Sequence, residues 1–501
     1  MKRNVLFITA DQWRGDCLSA VGHPVVRTPT LDALAREGTL FLRHYTNAVP
    51  CGPSRASLHT GLYLHNHRSG TNGTPLDRRF TNWAIEARRA GYDPALFGYT
   101  HTAPDPRYVQ PEDPVLTTDE GLLPGITPVV DMATHCGPWR DWLARLGYPL
   151  PADDGSTYGQ KAGAPGDPET PQPSLYDPLH TDTYFLVQSA IDYIERMRPQ
   201  DGPGWFVHLS LRAPHPPWVA AAPYHTRYPT STLPEPVRRA DPADEARLHP
   251  WLADHLDRGR NRSHADLRRH RLLQASYYGL MSEVDDNLAR LFAAIADGGE
   301  WNDTLVVFTS DHGEQMGDHW LYGKAGFFEQ SYWIPLIVRV PGAQGAGRVT
   351  AFTEHVDLMP TMLEWLGCEV PRQCDGHSLL PFVRGATPAT WRNAAHWEFD
   401  FRDPAVEAAL GLTMEQCSLV VLRDERGKYV HFAGLPPLFF DLSADPHELV
   451  DASAASHGRV ADYAQRLLSW RLAHTDKTLS HIRVTREAGL TVREPGAART
   501  G

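Results

Sequence analysis

The chain has 501 residues, of which 42% are hydrophobic, 10% aromatic and 22% charged, a composition that excludes a disordered polymer and suffices for one large domain with a smaller one. Its formal net charge of −12 disfavours nonspecific attraction to nucleic acid or to anionic membrane, so neither is expected as a partner. An anionic substrate would have to be captured by local positive charge.

The N-terminus begins like a secretory leader, with Lys2 and Arg3 before an apolar run, but Asp11 and Gln12 end that run too early. No stretch reaches the roughly 18 apolar residues of a membrane helix, and a cytoplasmic protein is expected. Val5-Leu6-Phe7-Ile8-Thr9 is a continuous apolar, β-branched run suited to a central parallel strand covered on both faces, with Asp11 at its carboxyl end. Thr28-Pro29-Thr30 ahead of Leu31, Leu34 and Ala35 predicts a helix that stops at Gly38, and Thr39 to Tyr45 predicts a strand. That strand delivers Cys51 to the same edge as Asp11. In Cys51-Gly52-Pro53-Ser54-Arg55, Pro53 suits a first helical turn, where its missing N–H costs nothing. Cys51 then sits at a helix N-terminus whose free amides favour negative charge, with Arg55 one turn on along the same face.

Further strands are predicted at Ala95-Leu96-Phe97, Trp205 to Leu209, Thr304 to Thr309 and Pro335 to Val340. Leu273, Tyr277, Leu280, Val284, Leu288, Leu291 and Ile295 recur at helical spacing, and Gly298-Gly299 ends this amphipathic helix. Helix and strand alternate as in a doubly wound sheet, where ligands bind beyond the carboxyl ends of the strands. The Pro-, Asp-, Arg- and His-rich segments 105–180 and 219–270 read as long insertions shaping a pocket or an oligomer contact. Gly342 to Gly347 reads as a flexible loop, with no helix behind it to make a nucleotide fingerprint. Ser418 to Arg423 and Lys428 to Phe432 flank the turn Asp424-Glu425-Arg426-Gly427 and predict a hairpin; Leu438 to Leu442 adds a strand, and the helix through Val460, Tyr463, Leu467 and Trp470 packs on them. The predicted fold is α/β, a large mixed, mostly parallel sheet sandwiched by helices, with a smaller C-terminal α+β subdomain. Residues 1–385 are assigned to the catalytic domain, 386–485 to the subdomain and 486–501 to a polar tail, frayed or engaged by a neighbouring subunit.

Six cysteines, Cys17, Cys51, Cys136, Cys368, Cys374 and Cys417, lack the paired spacing of a zinc site, although Cys368 and Cys374 could form a disulfide. Asp11 and Asp311 both follow predicted central strands, so they converge at one sheet edge with His312. Two carboxylates and an imidazole, with a further ligand at position 51, would suit one divalent cation, Mn²⁺, Ca²⁺ or Zn²⁺ alike.

The run Cys51-Gly52-Pro53-Ser54-Arg55 to Thr60-Gly61 resembles the signature of the sulfatases, whose cysteine is oxidised after synthesis to formylglycine, an aldehyde. With Asp11-Gln12, Gly91-Tyr92-Asp93-Pro94 through Gly98-Tyr99, Ala213-Pro214-His215-Pro216-Pro217, Ser310-Asp311-His312-Gly313-Glu314, Gly323-Lys324 and Pro437 to Leu442, it resembles the sulfatase branch of the alkaline phosphatase superfamily, and within it the phosphonate monoester hydrolases and arylsulfatases. The resemblance implies a sulfate or phosphonate ester substrate, maturation by a formylglycine-generating enzyme, and metal ligation by Asp11, residue 51, Asp311 and His312. It places Asn72, Tyr99, His101, His215 and Lys324 around the anion. A homodimer or homotetramer is expected. Two positions depart from the common sulfatase pattern. Gln12 stands beside the metal site where a second aspartate is usual, and Tyr99 stands where a lysine is usual, which together favour a phosphorus-centred substrate, whereas His101 is sulfatase-like.

The implied mechanism hydrates the aldehyde at position 51, with Arg55 favouring ionisation of one hydroxyl, which attacks sulfur or phosphorus. Lys324 and His215 offset developing charge, and His101 takes the proton whose loss re-forms the aldehyde and expels the product. The alternatives are a phosphodiesterase of the same superfamily using unmodified Cys51, and a noncatalytic metal-binding protein.

Overall fold

A computed structural model describes residues 3–133, 136–152, 155–161, 170–198, 202–259, 261–343, 347–476 and 478–492. Strand β1 (Asn4–Ala10) is buried along its whole length, with Leu6 and Ile8 in one core and Val5 and Phe7 in another on the opposite face. That is why its sequence shows no polar alternation. Strands β2 (Thr39–Tyr45) and β3 (Ala48–Val49) precede the helix Cys51–Thr60; β4 (Pro94–Gly98), β5 (Thr127–Asp131), β6 (Phe206–Leu211), β7 (Thr304–Thr309), β8 (Trp333–Arg339), β9 (Gly347–Val349) and β10 (Thr353–Glu354) follow. They form a mixed sheet in the order β10-β2-β8-β7-β1-β6-β4-β5, with β9 also on β2. All neighbours are parallel except at β8, which runs against both β2 and β7. The helices Pro29–Glu37, Asp182–Met197 and Leu267–Asp297 cover one face; Trp83–Arg89 and Leu358–Leu366 cover the other.

Register positions the site. Ala10 pairs with Leu211 and Thr9 with Thr309, so Asp11, Arg212 and Asp311 leave the sheet at nearly one level. Next to them β4 and β6 approach so closely that a Cβ on Gly98 would lie 1.9 Å from the Ser210 carbonyl oxygen; Gly98 also holds φ +123. Glycine is required there, and Tyr99 enters the site because of it.

A second sheet, in the order β14-β13-β12-β11-β3, contains β11 (Ala395–Asp400), β12 (Ser418–Arg423), β13 (Lys428–Phe432) and β14 (Leu438–Phe440). β12 and β13 form the expected hairpin, closed at the pair Arg423 and Lys428. Tyr463, Leu467 and Trp470 of the helix His457–Ala473 pack on Leu422, Tyr429 and Phe439. The short β3, immediately before Cys51, pairs in parallel with β11 and ties this sheet to the helix Cys51–Thr60.

Three expectations change. The segment 105–180 is not merely an insertion, since it supplies the edge strand β5. Cys368 and Cys374 are both free thiols. The tail is not frayed from its start: β15 (Ile482–Thr485) pairs with β16 (Gly489–Val492) in a hairpin, while 493–501 lie outside the described residues, as do 344–346 of the expected glycine-rich loop. Among the described residues no helix is long and apolar enough to cross a membrane.

Within the helix Leu267–Asp297, burial pushes the Glu283 carboxyl up to about 8, with Thr181 opposing the shift and Asp182 adding to it. The folded state therefore keeps a proton that the unfolded chain releases above about pH 4.3, and stability falls as pH rises towards the folded value. Glu283→Gln is expected to gain stability relative to the parent, by a few kcal/mol at pH 8 and little at pH 5. Melting both proteins at the two pH values checks this; an equal difference at each would show that the carboxyl ionises as it does in the unfolded chain.

Candidate active site

Cys51, the first residue of its helix, is buried, and Arg55 one turn later is fully buried. The Arg55 guanidinium spans two carboxylates, with Nε 3.0 Å from Asp311 Oδ2 and Nη2 3.2 Å from Asp11 Oδ2. Its Nη1 donates to Ser210 Oγ at 2.9 Å and to the Tyr99 carbonyl at 3.2 Å, and its Cζ lies 4.4 Å from the Tyr99 ring centre. Tyr99 in turn donates its hydroxyl to Asp11 Oδ2. Asp311 Oδ1 accepts from the backbone N–H groups of Gln12, at 3.1 Å, and His312, at 2.9 Å.

What remains unsatisfied converges. Asp11 Oδ1 is buried with no hydrogen-bond partner among the described residues. His312 Nδ1 lies 3.0 Å from the Gly313 carbonyl, which can only accept, so the neutral ring turns its Nε2 lone pair towards Cys51 and the carboxylates. That Nε2 is 3.2 Å from Cys51 Sγ, 3.8 Å from Asp11 Oδ1 and 3.7 Å from Asp311 Oδ2. Ligand atoms of Asp11, Cys51, Asp311 and His312 all lie within 4.8 Å of one another. An orphaned carboxylate oxygen and an imidazole fixed in the ligating tautomer fit a divalent cation.

The electrostatics agree. Burial raises the Asp11 carboxyl, but His215, His312, Arg55 and Lys324 outweigh it and hold the group well below the usual range. Burial and the Asp11 charge push Asp311 up to about 6. Burial and Lys324 press His312 down to about 3, so it is neutral as ligation requires. Burial pushes the Cys51 thiol up to about 12, with Asp11 and Asp311 adding to the rise and Lys324 and Arg55 opposing it.

The other expected residues line the same cavity of about 250 Å³, which holds Asn72, Tyr99, His101, His215 and Lys324 around Cys51. Asn72 Oδ1 accepts from Gly52 N at 2.9 Å, leaving its amide nitrogen as donor. His101 Nε2 is 3.3 Å from Asp119 Oδ2, and burial, with Arg55, lowers its pKa, so it is a neutral base. His215 Nδ1 donates to the Pro216 carbonyl at 2.6 Å. Its neutral Nε2 is therefore an acceptor, and burial with Lys324 presses the ring down to about 3; offsetting negative charge requires that it first gain a proton beside a bound anion.

Gln12 does more than omit a charge. Its Oε1 accepts from Lys324 Nζ at 2.8 Å and its amide donates to Glu314, whose Oε1 accepts from Gly323 N at 2.7 Å. Burial pushes Glu314 up to about 7, while Cys51, Asp11 and Asp311 outweigh burial to raise Lys324 above its ordinary value. Glu314 lies in the quoted Asp-His-Gly-Glu motif without a role assigned to it; its signal is a carboxylate three residues after Asp311 with no cation close in sequence. Arg212, Tyr158 and Cys136 also stand on the cavity wall, and no local motif marks any of them for it.

A family model described as Sulfatase matches residues 3–368, and one described as N-sulphoglucosamine sulphohydrolase, C-terminal, matches 317–471. The multifunctional alkaline phosphatase superfamily protein PehA of Trinickia caryophylli is 44% identical over 514 residues, covering 98% of this chain and 99% of PehA. An arylsulfatase of Clostridium perfringens is 26% identical over 96% of this chain and 100% of its own length. The crystal structure of the phosphonate monoester hydrolase of Agrobacterium radiobacter superposes with a TM-score of 0.93 at 44% identity, over 99% of this chain and 100% of that one. The phosphonate monoester hydrolase SpPMH of Silicibacter pomeroyi gives 0.93 at 37% identity, over 98% and 99%. With these matches and the site they enclose, the chain belongs to the sulfatase family, a branch of the alkaline phosphatase superfamily.

Proposed function

We propose that the chain hydrolyses sulfate and phosphonate esters, with phosphonate monoesters and phosphodiesters as well as sulfate monoesters as substrates, through a covalent intermediate on residue 51. Cys51 is matured to formylglycine by a formylglycine-generating enzyme. The observation that carries the proposal is Cys51 Sγ 3.2 Å from the unprotonated His312 Nε2, inside a cluster that has an orphaned Asp11 oxygen. The Gln12 and Tyr99 substitutions and the two phosphonate hydrolase relatives support the phosphorus-ester reading.

Asp11, Asp311, His312 and residue 51 would hold a divalent cation, Mn²⁺, Ca²⁺ or Zn²⁺, which supplies Lewis acidity towards the ester oxygens. Formylglycine supplies, as its hydrate, one hydroxyl for attack and a second whose deprotonation releases the product. Arg55 keeps both carboxylates ionised and in place, and Tyr99 holds Asp11 from its other side. Lys324, steered by Gln12, offsets negative charge as the leaving oxygen departs, and Asn72 donates to a nonbridging oxygen. His101, neutral and beside Asp119, accepts the proton of the release step.

Lys324→Ala is expected to lower kcat by about 10²–10³, the usual scale for losing one preorganised donor. Steady-state rates on 4-nitrophenyl esters check it, and a change in KM alone would assign Lys324 to ground-state binding. The function itself is tested by mass spectrometry of the peptide carrying residue 51, paired with a panel of sulfate, phosphonate and phosphodiester substrates. Turnover should track the aldehyde-bearing fraction; full activity from thiol-bearing protein would establish the unmodified-cysteine alternative instead.

A further inference from the structure

Arg212 leaves β6 level with Asp11, yet it takes no part in the cluster around residue 51. Its hydrogen bonding among the described residues is sparse: Nη1 donates to Cys136 Sγ at 3.7 Å, and Nε is buried with no partner there. A guanidinium has five N–H donors, and leaving them unmade in a partly buried position is costly. Among the described residues no carboxylate makes an ion pair with it, and Asp182 acts on it only from beyond that distance. The group is nevertheless held in place. Its Cζ lies 5.1 Å from the Tyr158 ring centre, and the Tyr158 hydroxyl is fixed by Asp182 at 2.9 Å.

Arg212 forms, with Met132, Cys136, Tyr158 and Leu186, an apolar wall carrying one cation in the cavity that holds Cys51. Beside His101 the same cavity is lined by Asp119 and Glu120, which repel an anion. Arg55 and Lys324 already serve the reacting end. From this arrangement we infer that Arg212 reads a second anionic group, a carboxylate or a phosphonate, on the alcohol portion of the ester, whose apolar body lies against Tyr158, Met132 and Leu186. A planar fork beside an aromatic face matches either anion with two parallel hydrogen bonds. The inference rests on the ester-hydrolase reading above for the identity of the bound molecule.

The test compares phenyl, 4-carboxyphenyl and 4-phosphonophenyl esters of sulfate and of phenylphosphonate in the parent, Arg212→Gln and Arg212→Lys proteins. The parent should favour an anionic ester over the phenyl ester by about tenfold or more in kcat/KM, mainly through KM, and the preferred anion identifies the natural group. In Arg212→Gln the ratio should collapse to within about twofold; Arg212→Lys, which keeps charge without the fork, should lose severalfold and serves if the glutamine variant does not fold. A parent without preference, or a ratio unchanged by either substitution, would overturn the inference. Calorimetric binding of 4-hydroxybenzoate and phenol separates the two readings: if no ester turns over, the hydrolase reading fails, and tighter binding of 4-hydroxybenzoate that depends on Arg212 still supports the anion site. Equal binding in parent and variant would sink it.

Discussion

Replacing Cys51 by alanine is expected to lower kcat/KM by roughly 10⁴-fold or more, the scale on which removal of a covalent nucleophile registers. The fold should survive the change: the side chain is small, and its contact with His312 Nε2 at 3.2 Å is a ligand-type contact in a polar cluster. Cys51→Ser separates aldehyde from alcohol chemistry. A serine oxygen can be sulfated or phosphonylated, releasing the alcohol, but has no second hydroxyl whose deprotonation expels the product, so any activity should stop after one turnover. Rapid-quench measurement of product per active site reads this directly, and sustained turnover by the serine variant would contradict the release step. In the cation-free site burial pushes the unmodified thiol up to about 12, so a thiol mechanism would need the bound dication to ionise residue 51 near neutral pH.

Where the chain's own signals are local, they could be read in advance. The run Val5 to Thr9 is apolar on both faces because two cores enclose it, and that pattern alone places Asp11 at the end of a central strand. Thr304 to Thr309 does the same for Asp311. The predicted cluster of Asp11, residue 51, Asp311 and His312 thus rested on strand ends and one helix start. What could not be read depends on partners distant in sequence. β5 contains Pro128 and is only partly buried, so its residues resemble a loop until β4 is beside them. β3 has two residues and gains its identity from β11, about 350 positions away. Gln12 reads as a missing negative charge, yet its work is to join Glu314 to Lys324, which requires three separate loops to meet. Arg212 stands one residue before Ala213-Pro214-His215, a motif that draws attention to the histidine, and the lack of an ion-paired carboxylate among the described residues is a property of the fold.

Arg55→Met should be the most destabilising of the single changes in the site when no cation is bound. Arg55 is fully buried, and removing it leaves Asp11 and Asp311 facing each other without the guanidinium that bridges them. Breaking a buried ion pair from one side costs roughly 3–5 kcal/mol, and methionine retains most of the packing volume, so the loss reports charge rather than a cavity. A divalent cation opposes the same repulsion. Without the positive guanidinium the ligand set carries more net negative charge and should attract a dication more strongly, so added metal should raise the melting temperature of Arg55→Met more than that of the parent. Thermal melts of both proteins, after chelation and after addition of Mn²⁺, Ca²⁺ or Zn²⁺, measure the two gaps. If the gap narrows with metal, Arg55 acts as a cationic placeholder that keeps the carboxylates together before the ion arrives. If it widens, the guanidinium is needed to aim Asp11 and Asp311 at the ion, and the hydrogen bond from the Tyr99 hydroxyl to Asp11 becomes the term to vary next, through Tyr99→Phe.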